Sequence, residues 1–335
     1  MPALVTADLH LSDNPRDEYR FKAMRTIRQI MKKRDVDLLI VLGDICESKN
    51  HHSAELVNAV VDEFAKFAKL APVIVTKANH DYEKEDAPFW AFLKRIPNIT
   101  YVGAPTDEKT LPNPPHPSLG RVLFLPHTPN FKRDWEKLKL EDYDVIFAHQ
   151  TFKGAVNESG HEMDGVPLDI FSPWTRIIAG DIHAPQTIGQ LTYVGAPSII
   201  DFGNDYEPRV LLMDGKKTES IPVPGPQKRL IDTKDFESAK AAIKKLAAGD
   251  LVKVRLPFNP GGEHSWQEIK DEIRAWCEQH GLQLEKVEPI LDKSKTRKVR
   301  ERSPKSDKEL LTAYAKSRRI DEQRLKTGHW LLEKS

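Results

Sequence analysis

The chain has 335 residues, with 51 Lys and Arg against 50 Asp and Glu for a net charge of +1, and 39% of it is hydrophobic. That length exceeds what one hydrophobic core usually fills, so one large and one smaller soluble domain are expected, and no run approaches the roughly 18 apolar residues of a membrane span. Met1-Pro2-Ala3 enters a strand-like run without a basic and then apolar leader, and Cys46 and Cys277 stand apart with no CxxC spacing, which together read as a cytoplasmic chain with neither a disulfide framework nor a zinc ribbon.

In chain order, the first 215 residues alternate strands with helical patterns. Ala3–Val5, Leu38–Leu42, Val73–Val75, Val145–Ala148 and Arg176–Ala179 are short and rich in β-branched residues, as buried strands are. Between the first two, Asp17–Lys33 carries Phe21, Met24, Ile27, Ile30 and Met31 at helical spacing, and Ser53–Leu70 repeats the device with Leu56, Val60, Phe64 and Phe67. A Pro-rich stretch from Leu111 to Pro117 interrupts, followed by a strand over Arg121–Leu125, a short helix around Asp134–Leu140, and late strands in Thr192–Ser198 and Arg209–Met213.

Pro222, Pro224, Gly225 and Pro226 form a breaker cluster. It separates an expected catalytic domain, residues 1–222, from a small α/β unit, residues 227–290. The latter reads β, α, β, α, β over Arg229–Asp232, Phe236–Leu246, Leu251–Pro257, Ser265–His280 and Leu282–Ile290, with Ile269, Ile273, Trp276 and Cys277 on one core-facing helix side. From Leu291 onward there are fourteen Lys and Arg against seven Asp and Glu, a net of +7 that leaves the preceding residues at −6. Residues 291–305 read as an exposed basic linker, in which Lys293, Lys295, Arg297, Lys298, Arg300 and Arg302 are either solvated charge or contacts to a phosphate backbone. Residues 306–335 open on the capping box Ser306-Asp307-Lys308-Glu309 and place Leu310, Leu311 and Tyr314 on one stripe, then Leu325, Trp330, Leu331 and Leu332 on another. This helical pair is too small for its own core, so its apolar face must dock on the chain itself or on a partner.

Polar signatures follow the strand-like runs directly: Asp8-Leu9-His10, Gly43-Asp44, Asn79-His80-Asp81, His149 and Gly180-Asp181-Ile182-His183. The carboxyl ends of strands in an α/β sheet share one edge, so residues far apart in sequence converge there. Asp8 and His10 stand two apart and can face one side, as can Asp181 and His183. Asp44 has two oxygens to offer two cations, Asn79 offers an amide oxygen and His149 an imidazole. Such a mixed N/O set without thiolate suits Mn²⁺, Fe²⁺ or Mg²⁺ better than structural zinc. Two such cations clamp a phosphate and lower the pKa of water, so the expected reaction is phosphoester hydrolysis.

The order DxH, GD, NHD, H, GxxH resembles the calcineurin-like metallophosphoesterases, a resemblance that implies a two-layered β-sandwich flanked by helices. It further implies a first metal at Asp8, His10, Asp44 and His183, and a second at Asp44, Asn79, His149 and Asp181. His80 would be the acid for the leaving oxygen and Asp81 its orienting partner. The family's last motif is commonly Gly-His-x-His, and Asp181 stands in the first His position. Tyr193–Ser198 followed by Asp201-Phe202-Gly203 is similar to the corresponding segment of SbcD-type nucleases, and the compact chain looks like a bacteriophage member. That resemblance implies a DNA nuclease with two Mn²⁺ (or Mg²⁺), exonucleolytic on duplex ends and endonucleolytic on single strands. It implies a homodimer within a heterotetramer, with residues 227–290 as a DNA-binding cap and the terminal helices, through Leu310, Leu311, Tyr314, Leu325 and Trp330, gripping an SMC-like ATPase of the SbcC type. His51 and His52 are either a solvated loop pair or DNA contacts, since their loop passes near DNA in that family, and His127 either lines the site or is structural. A small-molecule phosphodiesterase or phosphatase and a non-catalytic DNA-end-binding scaffold are the alternatives.

Overall fold

The computed structural model describes residues 2–157, 159–203, 206–258, 265–290, 311, 312, 314, 315, 320 and 322–332. Lys293, Lys295, Arg297, Lys298, Arg300, Arg302, Leu310 and the capping box at Ser306 lie outside the described residues, as does the side chain of Trp330. Two six-stranded sheets make up most of the chain. The first is built from the parallel strands β1 (Ala3–Thr6), β2 (Leu38–Val41), β3 (Val73–Thr76) and β4 (Ile99–Val102). The second contains β5 (Thr106–Asp107), β6 (Val122–Leu125), β7 (Val145–His149), β8 (Arg176–Gly180), β9 (Gln186–Ile188) and β10 (Leu191–Tyr193), in the order β5-β6-β7-β8-β10-β9 with antiparallel strands at both edges. The chain then returns to the first sheet, where β11 (Arg209–Asp214) pairs antiparallel with β1 and β12 (Lys217–Pro222) pairs with β11.

Alternation along the strands decides which face each residue serves. The register aligns Val5, Ile40 and Ile74 in one row and Phe124, Phe147 and Ile178 in another, and these two rows meet in one core between the sheets. The neighbouring row, Leu4, Leu39 and Val73, faces outward and is covered by α1 (Glu18–Lys33) and α2 (Ala54–Ala68) through Met24, Ile27, Met31, Val60, Phe64 and Phe67. On the far side Leu123, Ile146 and Ile177 are covered by Trp135, Phe152 and Phe171. Each of these fully buried side chains contributes about 1.5–3 kcal/mol relative to exposure. The result is an α/β protein with a two-layered sandwich flanked by helical and loop layers.

The short helix is α3 (Phe131–Trp135), earlier than the expected Asp134–Leu140. Asn130 sets its start, accepting a hydrogen bond from the Arg133 N–H at 3.1 Å, and Trp135 plugs the outer core. The strand expected over Thr192–Ser198 is only Leu191–Tyr193, because Gly195 turns the chain at φ 79.

A third sheet is wholly parallel: β13 (Lys228–Asp232), β14 (Leu251–Pro257) and β15 (Gln283–Ile290) are joined by α4 (Phe236–Ile243) and α5 (Trp266–Gln279). Its core packs Ile231, Val252, Val254, Ile273 and Cys277, with Ile269 and Trp276 against it, and Ser265 with Glu268 forms a capping box that opens α5. The sheet meets the sandwich where Lys228 Nζ donates to the Ile200 carbonyl at 2.9 Å and Arg16 Nη1 to the Glu285 carbonyl at 3.2 Å. On the face away from its core, hydrogen bonds from Lys286 and Lys253, with Arg255 alongside, hold Glu288 down to about 2. A carboxylate pKa lowered by folding adds stability above the ordinary 4.5 that disappears as the pH falls toward about 2. The melting temperature of wild type is therefore expected to exceed that of Glu288→Gln at neutral pH, and the gap to close across that acid range in a thermal scan series.

At the end of the chain, Leu311, Thr312, Tyr314 and Ala315 are helical and precede α6 (Glu322–Leu332). The two pieces pack on each other: a Cβ on Gly328 would lie 2.7 Å from Leu311 Cδ2, and Thr312 Oγ1 is 2.9 Å from His329 Nε2. Leu311 thus faces its own chain and Leu325 is half-buried, while Tyr314, Leu331 and Leu332 face outward.

Candidate metal centre

Buried strands deliver the polar signatures to one place. Asp8 and His10 follow β1, Asp44 follows β2, Asn79 to Asp81 follow β3, His149 ends β7, and Asp181 and His183 follow β8. The chain must turn sharply there, and Asp8, His10, Asp44 and Asp181 take left-handed φ values of 54, 44, 52 and 96. Such backbone costs about 1–3 kcal/mol per residue and persists when the surroundings over-determine it, most often at functional sites. Glycine is required beside it: a Cβ on Gly43 would lie 2.3 Å from Ala78 Cβ, and one on Gly180 would lie 2.9 Å from His149 Nδ1.

The first donor cluster is Asp8, His10 and Asp44, whose ligand atoms all lie within 4.8 Å of one another and whose side chains are buried. His10 Nε2 faces Asp44 Oδ2 at 3.4 Å, and the His183 ring stands edge-on to His10 with centroids 4.7 Å apart. The second cluster forms around His149 Nε2, which is 3.1 Å from Asn79 Oδ1, 3.6 Å from Asp44 Oδ1 and 3.8 Å from Asp181 Oδ1. Asp44 is common to both, one oxygen toward each. His80 lies at the rim, its ring 5.1 Å from that of His10, its N–H donating to Asp44 Oδ1 at 3.0 Å and its Nδ1 2.8 Å from the Glu47 carbonyl.

Asp81 does not orient the His80 ring as expected. Its carboxylate accepts the N–H groups of Ala78 at 2.8 Å and Ile45 at 3.3 Å, tying together the turns that carry Asn79 and Asp44. The Glu47 carbonyl holds His80 instead. His52 packs its ring against Phe89 and Trp90, at 4.4 and 5.1 Å between centroids. His51 lines a cavity of about 400 Å³ beside the donors, together with Arg20, Glu47, Asp201 and Lys228. His127 bonds Tyr82 Oη through Nδ1 at 2.8 Å, with its ring 6.3 Å from that of His149. A larger cavity of about 590 Å³ opens at the amino ends of the strands, where Glu108 and Asp144 already accept the N–H groups of Val122 and Arg121.

Several residues outside the polar signatures support the donors. Thr151 donates its hydroxyl to Asp181 Oδ2, Glu47 Oε2 sits 3.5 Å from His10 Nδ1, and Asp201 Oδ2 is 3.4 Å from His183 Nδ1. The buried Arg20 guanidinium bonds Glu47 at 2.9 Å and also reaches the His10 carbonyl. Asp201 falls within the Asp201-Phe202-Gly203 segment, and its placement against His183 is the one feature that the segment's resemblance could have signalled.

Electrostatics show what the centre lacks from protein alone. Burial pushes Asp44 up to about 7, and burial followed by the Asp44 carboxylate does the same to Asp81. Burial also raises Asp8, against the pull of His149 and His183. His10 falls well below its ordinary value through burial and the neighbouring His183 and His80, so its ring is neutral with a lone pair to offer. Burial works against a charged His149, but Asp44, Asp8 and Asp181 outweigh it and raise its pKa. Asp8 Oδ2 and both ring nitrogens of His10 are buried with no hydrogen-bond partner among the described residues. Each such atom costs about 1–3 kcal/mol. Clustered carboxylates, neutral imidazole and orphaned acceptors fit divalent cations.

Among solved structures, the fold overlaps Yfce, a phosphoesterase from E. coli, at 15% identity over 67% of this chain and 93% of that one, with a TM-score of 0.38. It overlaps the Pseudomonas putida nuclease MPE at 16% identity over 65% of this chain and 87% of that one, with a TM-score of 0.30. The family described as calcineurin-like phosphoesterase matches residues 1–212, a span that runs from β1 into β11 and holds every donor of both clusters, and the chain belongs to that family.

Proposed function

We propose that this chain is a Mn²⁺-dependent DNA nuclease, the phosphoesterase subunit of an SbcC–SbcD-like repair complex. The observation that carries this reading is the convergence of Asp8, His10, Asp44, Asn79, His149, Asp181 and His183 with His80 at the open rim. Asp8, His10, Asp44 and His183 would hold one cation, and Asp44, Asn79, His149 and Asp181 the other. Bound there, divalent cations polarise a phosphodiester and activate water for in-line attack. The chain's own part is to orient the phosphate and to hold a proton for the leaving oxygen. The Glu47 carbonyl accepts from His80 Nδ1–H, which turns Nε2 to that second task.

A polymeric substrate is supported by the third sheet, which packs beside the centre through Lys228, and by the basic residues that follow β15. The outward Tyr314, Leu331 and Leu332 suit an ATPase partner on the terminal helices. The second reading, a small phosphodiester substrate, draws on the 400 Å³ cavity, a size that suits small ligands. End-labelled duplex, hairpin and single-stranded DNA, with bis-p-nitrophenyl phosphate in parallel, separates the two. Digestion of DNA in Mn²⁺ is expected, and turnover of the aryl diester with DNA left intact would sink the nuclease reading.

A further inference from the structure

His149 Nδ1 lies 2.5 Å from the Leu42 carbonyl, and a carbonyl only accepts, so Nδ1 carries a ring proton and Nε2 is the nitrogen left to meet a cation. That nitrogen faces three oxygens, Oδ1 of Asn79, Asp44 and Asp181. Asn79 presents its oxygen there, because its Nδ2 donates to Asp181 Oδ1 at 3.3 Å and thereby points Oδ1 at His149. One nitrogen and three oxygens thus face one another, as the donors of a cation pocket do.

Asp181 is fixed as firmly as a ligand can be. Its second oxygen takes the Thr151 hydroxyl, its N–H donates to Asp8 Oδ1 at 3.0 Å, and its backbone is held at φ 96. The pocket around His149 therefore offers one nitrogen and three oxygens, with Asp44 and Asp181 bringing charge. The neighbouring cluster offers two imidazoles, His10 and His183, beside Asp8 and Asp44. Nitrogen-rich sites favour Zn²⁺ strongly over Mn²⁺, whereas oxygen-rich anionic sites narrow or reverse that preference.

We propose that the two pockets are unequal, the one around His149 being a hard-cation site selective for Mn²⁺ or Mg²⁺, and that Asp181 is the residue that sets this selectivity. The proposal rests on the two-cation reading above, but its test reads occupancy rather than turnover. Full-length protein stripped with chelator is equilibrated with equal Zn²⁺ and Mn²⁺, desalted, and assayed by elemental analysis and by the electron paramagnetic resonance of Mn²⁺. Wild type is expected to hold about one of each metal per chain, with the spectrum of an isolated Mn²⁺. Asp181→His, which exchanges an oxygen for a nitrogen, is expected to fill with Zn²⁺ at the expense of Mn²⁺. Asp181→Asn, which keeps the oxygen without the charge, is expected to bind Mn²⁺ about tenfold more weakly.

Wild type carrying two Zn²⁺ and no Mn²⁺ would overturn the proposal, as would an Asp181→His protein with the wild-type metal ratio. Because the wild-type ratio is decisive by itself, a histidine variant that fails to fold leaves the test standing. Mixed occupancy without DNA cleavage would defeat the nuclease reading alone, and DNA cleavage by a protein holding two Zn²⁺ would defeat this one alone.

Discussion

Replacing His80 by alanine is expected to slow DNA cleavage by about 10²–10⁴-fold while leaving Mn²⁺ binding within a few-fold of wild type, the range typical of losing one positioned proton donor. The separation follows from how His80 is attached. Its contact to the shared carboxylate is made by the backbone, from N–H to Asp44 Oδ1 at 3.0 Å, and survives the substitution. The ring is linked to the Glu47 carbonyl and stands edge-on to His10, so its removal takes no donor from either cluster. Single-turnover cleavage of a labelled duplex reads the first quantity and calorimetric titration with Mn²⁺ the second. Loss of cation binding in parallel with turnover would make His80 part of the donor shell. Unchanged turnover would remove it from the chemistry.

The parts of this centre visible in the sequence are those that local chemistry writes down. β1, β2, β3, β7 and β8 are largely apolar runs of four or five residues that end in His or Gly or lead within three residues to Asp, Gly or Asn, so both strand and signature are local patterns. The helical stripes of α1 and α2 were equally legible, since Met24, Ile27 and Met31, and Val60, Phe64 and Phe67, cover the outer row of the first sheet. What the sequence left hidden depends on tertiary placement. Thr151, Glu47 and Asp201 act on donors that lie elsewhere in the chain, and no spacing rule relates Thr151 to Asp181 or Asp201 to His183. Asp81 was visible as a residue but not in its task, because Ala78 and Ile45 compete for its oxygens as backbone donors better placed than the His80 ring. β12, an exposed edge strand reading Lys-Thr-Glu-Ser-Ile-Pro, lacks the apolar signal of a core strand, and β4 is masked by its half-buried Thr100 and Tyr101.

Asp44→Asn is expected to change stability in opposite directions according to whether cation is present. At a Mn²⁺ concentration a hundredfold above its dissociation constant, a single bound cation stabilises the wild type by about 2.7 kcal/mol. The variant should lose most of this, because Asp44 turns Oδ2 toward His10 Nε2 at 3.4 Å and Oδ1 toward His149 Nε2 at 3.6 Å and so serves both clusters. In chelator the order should invert, with the variant melting at or above wild type. Asp44 is 2% exposed, and burial with Asp8 and Asp181 nearby raises its carboxyl despite the opposing pull of His149, so its charge is costly at that depth. Asparagine keeps an oxygen for the His80 N–H and offers an amide hydrogen to His10 Nε2, which has no hydrogen-bond partner among the described residues. Such an inversion is the signature of a residue kept for its ligand at the expense of the fold. Thermal melts of both proteins in chelator and in Mn²⁺ decide it: a variant that melts lower in chelator yet keeps the full Mn²⁺-dependent rise would make Asp44 a structural acceptor for the His80 turn, and the shared centre would have to be rebuilt without its bridge.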